Sequence, residues 1–107
     1  MSFTGCAQSE NSITMNELKE KLKADKKDFI VLDVRSPQEL KGELGKIDIA
    51  INIPLPDLDK RMDELKQYKD KEIYVVCRSG NRSGMATEDL LKAGYKAKNV
   101  SGGMLKY

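Results

Sequence analysis

Apolar positions change their spacing repeatedly along the chain, and each change marks an element. In "SITMNELKEKLK", Met15, Leu18 and Leu22 fall on one helical face. Thr14 stands at the cap position, and Glu17 three residues on completes a capping box. "DFIVLDV" is different: an unbroken, β-branched run of strand length that ends in Asp33. Such a run predicts burial on both faces, which favours a parallel sheet. "SPQELK" restarts a short helix, capped by Ser36 with Pro37 in its first turn. A second strand is predicted around residues 50–53, stopped by Pro54, and then "PDLDKRMDELKQY" reads as one amphipathic helix with Leu58, Met62 and Leu65 as its stripe. "KEIYVVC" is a third buried strand. "SGMATEDLLKAG" predicts a helix begun at Ser83 or Gly84, with Ala86, Leu90 and Leu91 inward and Gly94 at its end. "AKNV" is a last short strand. Strand and helix alternate throughout, so the expected fold class is α/β around a mostly parallel sheet. In open sheets of this kind ligands bind beyond the carboxyl ends of the strands, where Cys77 and Asp33 both fall.

Length and composition narrow the picture. A chain of 107 residues makes one compact domain, expected over residues 12–107 behind a flexible polar N-terminus of residues 1–11. The net charge of +2 implies no polyanion, and the lysines of "ELKEKLKADKKD" are interleaved with acids as on a solvated helix face, so no nucleic-acid partner is expected. Nothing approaches the roughly 18 apolar residues of a transmembrane segment. The chain as written therefore reads as cytoplasmic. An alternative comes from "FTGC", which has the shape of the end of a lipoprotein signal, with Cys6 as lipid site of a periplasmic or envelope protein whose signal segment is missing.

The chain has two cysteines, Cys6 and Cys77, and no histidine. That excludes Cys-His and Ser-His catalysis and serves metal binding poorly, so neither a metal nor a cofactor is expected. Whatever activates Cys77 must be backbone dipoles, arginines or carboxylates. The loop "CRSGNRS" supplies such groups. After the strand ends, Arg78, Ser79, Gly80, Asn81, Arg82 and Ser83 lead straight into a helix, whose first amides are unpaired and carry the positive end of its dipole. Gly80 lets the backbone curl its N–H groups around the sulfur as an anion nest. Thiolates so surrounded titrate well below the free value of about 8.5. Arg78 and Arg82 add charge and forked donors. The bland alternatives are a small core cysteine and ordinary surface arginines.

"IYVVCRSGNRS" resembles the active-site loop of rhodanese domains. "VLDVRSPQEL" is similar to that family's early Asp-Val-Arg segment, "GKIDIAINIPLPDL" to its Asn-Ile-Pro segment, and "NVSGGM" to its terminal Gly-Gly turn. Lys46 and Ile49 depart from the His and Gly the family often has, and Tyr107 lies near a position often held by Trp. The resemblance implies a five-stranded parallel sheet with helices on both faces. It also implies sulfur transfer, in which Cys77 attacks a donor such as thiosulfate, becomes a persulfide and passes the outer sulfur to cyanide or a thiol, with a protein sulfur carrier as a further partner. By the same resemblance Asp33 and Arg35 sit beside the loop, Asp33 as an orienter accepting loop or arginine hydrogen bonds, with a local ion pair as the plainer alternative. Two other classes stay open. One is a non-catalytic binding or regulatory module of the same fold. The other is a cysteine-dependent phosphatase or arsenate reductase, whose loops need five residues between Cys and Arg where this one has four.

Overall fold

The computed structural model of the chain describes residues 11–25 and 27–107. Apart from Asn11, the expected polar N-terminus lies outside the described residues, and so does Cys6. Five strands, β1 (Ser12–Thr14), β2 (Phe29–Asp33), β3 (Ile51–Asn52), β4 (Glu72–Val76) and β5 (Lys96–Ser101), form one sheet in the order β1-β5-β4-β2-β3, every neighbouring pair parallel. Between them lie helices α1 (Met15–Leu22), α2 (Pro37–Leu40), α3 (Leu58–Arg61) and α4 (Asn81–Lys92), with 3-10 segments at Leu55–Asp57, Met62–Tyr68 and Gly103–Lys106. Among the described residues no helix is long and apolar enough to cross a membrane.

The unbroken apolar runs become the inner strands because alternate residues serve two cores. On β4, Ile73 and Val75 face one cluster with Leu58, Leu65, Ala86 and Leu90 from α3, its 3-10 extension and α4. Tyr74 and Val76 face the other, with Met15 and Leu18 of α1 and Met104 of the last turn. The sheet is thus sandwiched by helices on both faces, as the resemblance implies. From β2 the chain moves to β3 on one side and returns to β4 on the other. The carboxyl ends of β2 and β4 therefore flank the point where strand order reverses, the place where open sheets form a crevice.

Local differences from the sequence expectation have local causes. Thr14 does cap α1, with Glu17 closing the capping box, but Ser12–Thr14 also pairs with β5 as an edge strand. The segment 55–68 is one α-turn between two 3-10 stretches rather than a single amphipathic helix. No side-chain cap supports any of the three starts, and the Met62 carbonyl accepts the Tyr95 hydroxyl at 3.1 Å, competing with the helical ladder. Helix α4 begins at Asn81, two residues before the earlier of its expected starts, because the Gly80 carbonyl already accepts the Gly84 amide at 3.1 Å. The loop after Cys77 is correspondingly tighter.

The last turn fixes that loop from beneath. Gly102 (φ 81°) and Gly103 (φ 56°) both adopt the left-handed conformation. A Cβ on Gly103 would lie 2.5 Å from the Cys77 carbonyl oxygen and 2.7 Å from that of Arg78. Gly103→Ala is expected to destabilise the fold by about 2–5 kcal/mol, backbone strain and backbone overlap together. Gly45 (φ 67°) has open space where its Cβ would stand, so Gly45→Ala is expected to cost only about 1–2 kcal/mol. Urea denaturation midpoints of the two variants check this, and equal losses would refute the close-approach account.

Candidate functional site

Cys77 follows β4 directly and is 1% exposed, at the edge of the core under α4. Its carbonyl accepts the Met104 amide at 2.8 Å, and the Arg78 carbonyl accepts that of Leu105 at 3.0 Å. A planar peptide points its N–H opposite to its C=O, so both peptide dipoles present their N–H ends away from the last turn. The Gly80 amide then donates to Cys77 Sγ at 3.0 Å, and the Ser83 hydroxyl lies 3.3 Å from the same sulfur. Gly80 has φ 110°, the left-handed geometry that turns the chain from loop into α4.

Burial is the largest influence on the Cys77 thiol and pushes it up. The Ser83 hydroxyl and the backbone amides of Ser83, Gly80 and Ser79 outweigh it together, leaving the thiol below its ordinary value. A partly desolvated thiolate held by fixed amides is a good nucleophile, and the same amides would hold a negative sulfur attached to it.

The residues around the loop are arranged in a supporting chain. Asp33 is 0% exposed and Arg35 is 1% exposed; the Arg35 guanidinium donates to both carboxylate oxygens from Nε (3.0 and 3.2 Å) and to Oδ2 from a terminal nitrogen (2.8 Å). The Arg35 amide adds a bond to Oδ1 at 3.0 Å, and a terminal nitrogen also reaches the Gly45 carbonyl at 2.9 Å. Among the described residues Asp33 thus takes its side-chain hydrogen bonds from Arg35, which fits both the expected arginine hydrogen bonds and the local ion pair, and not from the cysteine loop. Asn52 donates to the Asp33 and Arg35 carbonyls at 2.9 and 2.8 Å. This fixes the chain leaving β2, where Ser36 and Glu39 cap α2.

Glu39 then grips the loop. Both of its oxygens accept from the terminal nitrogens of Arg82, at 2.8 and 2.7 Å. Arg82 is therefore a strut between α2 and α4 rather than a free cation over the sulfur. The Arg78 side chain and Ser79 are exposed at the rim, Asn81 is exposed at the start of α4, and Ser83 is fully buried. Glu39 and Asn99 were not among the residues singled out from sequence. Glu39 is visible there only as the third residue of a capping box, and its grip on Arg82 spans 43 positions. Asn99 on β5 receives the Ser83 hydroxyl and donates to the Gly80 carbonyl at 3.2 Å, contacts that no local pattern encodes.

The Arg82 hydrogen bonds hold the Glu39 carboxyl down at about 2, from 4.5. A folded-state value below the unfolded one means stability that is fully present above pH 4.5 and is lost as pH falls toward 2. Both side chains are about a third exposed, so solvent screening limits the pair to about 1 kcal/mol or less. Glu39→Gln is expected to be less stable than wild type at pH 7 by up to that amount, with the gap closing between pH 4.5 and 2. Urea midpoints at pH 7 and at low pH check it; a gap that persists at the low end would contradict the linkage.

The comparisons with known proteins point the same way as the geometry. Residues 14–107 match the Rhodanese-like domain family. A sulfurtransferase of Allochromatium vinosum is 34% identical over 98 residues, which cover 91% of this chain and 87% of that protein. The solved structure of SSP1007 from Staphylococcus saprophyticus superposes with a TM-score of 0.80 at 32% identity, covering 90% of this chain and 91% of that one. Part of an NAD-dependent persulfide reductase from A. fulgidus is also similar, with a TM-score of 0.67 and 40% identity over 88% of this chain but only 15% of that one. A five-stranded parallel sheet that ends on a cradled cysteine, in a chain similar to named sulfurtransferases along nearly its whole length, leaves one conclusion: the chain belongs to the Rhodanese-like domain family.

Proposed function

We propose that residues 12–107 form a single catalytic domain that moves a sulfane sulfur through a persulfide on Cys77. The Cys77 thiolate attacks the outer sulfur of thiosulfate or a similar donor. A sulfur–sulfur bond forms to Sγ, the donor's own sulfur–sulfur bond breaks, and sulfite leaves with the electron pair. Cyanide or a thiol then attacks the outer sulfur, and the Cys77 thiolate leaves, restoring the enzyme. Two half-reactions sharing one covalent intermediate give ping-pong kinetics.

The observation that carries this reading is the Gly80 amide aimed at Cys77 Sγ at 3.0 Å, with the Ser83 hydroxyl on the same atom. A loop closed this tightly, with four residues between Cys77 and Arg82, suits one sulfur atom. It does not suit the three equatorial oxygens of a phosphoryl group. The commitment of Arg82 to Glu39 supports the same choice, because a phosphate loop needs its guanidinium fork turned inward. The exposed Arg78 at the rim suits the sulfonate end of thiosulfate, and the open rim admits a small thiol or the thiol of a protein sulfur carrier. Similarity to part of a persulfide reductase supports persulfide chemistry at this site.

Steady-state assays with thiosulfate and cyanide test it. Wild-type protein is expected to form thiocyanate with parallel double-reciprocal lines and to leave an aryl phosphate untouched. Cys77→Ser is expected to lose thiocyanate formation, while Cys6→Ser keeps it. Aryl phosphate hydrolysis without thiocyanate would replace this reading with a phosphatase. Neither activity in a folded protein, with several donors tried, would favour a binding module.

A further inference from the structure

The hydroxyl of Ser83 has one hydrogen and two neighbours that want it. Asn99 Oδ1 lies 2.5 Å from Ser83 Oγ, and Cys77 Sγ lies 3.3 Å from it on the other side. The Asn99 amide is oriented by its own donor bond, Nδ2 to the Gly80 carbonyl at 3.2 Å, so Oδ1 is the end that faces Ser83. A carbonyl oxygen cannot donate. Ser83 must therefore give its only hydrogen to Asn99, and its oxygen can only accept from the Cys77 S–H. This arrangement suits the protonated thiol. A thiolate has no hydrogen to offer and needs the Ser83 hydroxyl to turn towards it, away from Asn99.

We propose that Asn99 is a positioning residue that competes with the Cys77 sulfur for the Ser83 hydroxyl proton and so restrains ionisation of the nucleophile. When Cys77 ionises, its proton leaves to solvent, the Ser83 O–H rotates from Asn99 Oδ1 to Sγ, and Asn99 is released. The exchange is feasible because Asn99 is only half-buried and borders an open groove of about 600 Å³ beside α4, also lined by Gly80, Asn81, Gly84 and Met85. Its freed oxygen can be hydrated from there. The Gly80 amide, 3.0 Å from Sγ, can donate to the thiol and to the thiolate alike.

The surroundings let a pH profile isolate this device. The charged side chains on the segments that border the loop are Arg82 on α4 with Glu39 of α2 upon it, the Asp33–Arg35 pair at the end of β2, exposed Arg78 in the loop, and exposed Lys106 in the last turn. Glu39 is held down at about 2 by Arg82, Arg82 is raised in turn by Glu39, and the chain has no histidine. The labelling rate reads the Cys77 thiolate itself.

The inference takes Cys77 as the reacting group but needs no sulfur donor, so its failure is separable from failure of the sulfur-transfer reading. Iodoacetamide labelling rates across pH, measured in the Cys6→Ser protein, give the half-point of Cys77 ionisation. Asn99→Ala is expected to lower that half-point by about half to one pH unit, the scale of one hydrogen bond no longer contested. The cradle survives that change because the Gly80 carbonyl keeps the Gly84 amide at 3.1 Å. Asn99→Asp, nearly the same shape, is expected to raise the half-point, since a carboxylate holds the hydroxyl proton harder and adds negative charge. Asn99→Ala added to Ser83→Ala is expected to move nothing further. An unchanged or raised half-point in Asn99→Ala, a lowered one in Asn99→Asp, or an Asn99→Ala shift of equal size with and without Ser83 would each overturn the proposal.

Discussion

The amides of Met104 and Leu105 take the carbonyls of Cys77 and Arg78, and the rest of the site depends on that exchange. Left alone, a loop after a strand presents oxygens and N–H groups in alternation, and a sulfur among them meets partial charges of both signs. With two successive carbonyls bound from beneath, the side facing the sulfur is left with donors. Gly80 then completes the turn at φ 110°, and the first amides of α4 join the same concave surface. The contact requires that residue 103 have no side chain, because a Cβ there would overlap the very carbonyls that are being held. Arginine charge contributes less to this than the sequence suggests, since Arg82 is spent on Glu39.

A second constraint holds the opposite wall. The Asp33–Arg35 pair is wholly buried, and such a pair is a poor source of net stability because desolvation offsets most of the attraction. Its contribution is geometric. With its amide, Nε and a terminal nitrogen on Asp33 and a further bond to the Gly45 carbonyl, Arg35 fixes the segment from which α2 starts. That places Glu39 where Arg82 can reach it across 43 positions of sequence. The loop is thus held at its beginning by the last turn and at its end by α2, while Asn99 lies beneath its middle.

What was legible in the sequence divides along the range of the interactions. Strands β2 and β4 could be read because both faces are buried and the apolar run is unbroken. The caps at Thr14 and Ser36 could be read because their partners lie three residues away. The cysteine loop could be read because its donors are consecutive. Strand β1 could not: its three residues pair with Asn99, Val100 and Ser101 at the far end of the chain, and locally they resemble the approach to a helix. The strut at Arg82 and the place of Asn99 beneath Ser83 are likewise set by tertiary packing, 43 and 16 positions apart in sequence. The Asp33–Arg35 pair could be read as a local contact because its partners lie two residues apart, but its further bond to the Gly45 carbonyl could not.

The central claim is that Cys77, held by these amides, is the atom on which sulfur travels. Intact mass of the freshly purified protein, then after thiosulfate, then after cyanide, tests it most directly. The account predicts a gain of one sulfur atom with thiosulfate, located by peptide mapping to Cys77, and its complete removal by cyanide with release of thiocyanate. No gain in mass with any sulfane-sulfur donor, or a gain found only on Cys6, would contradict it.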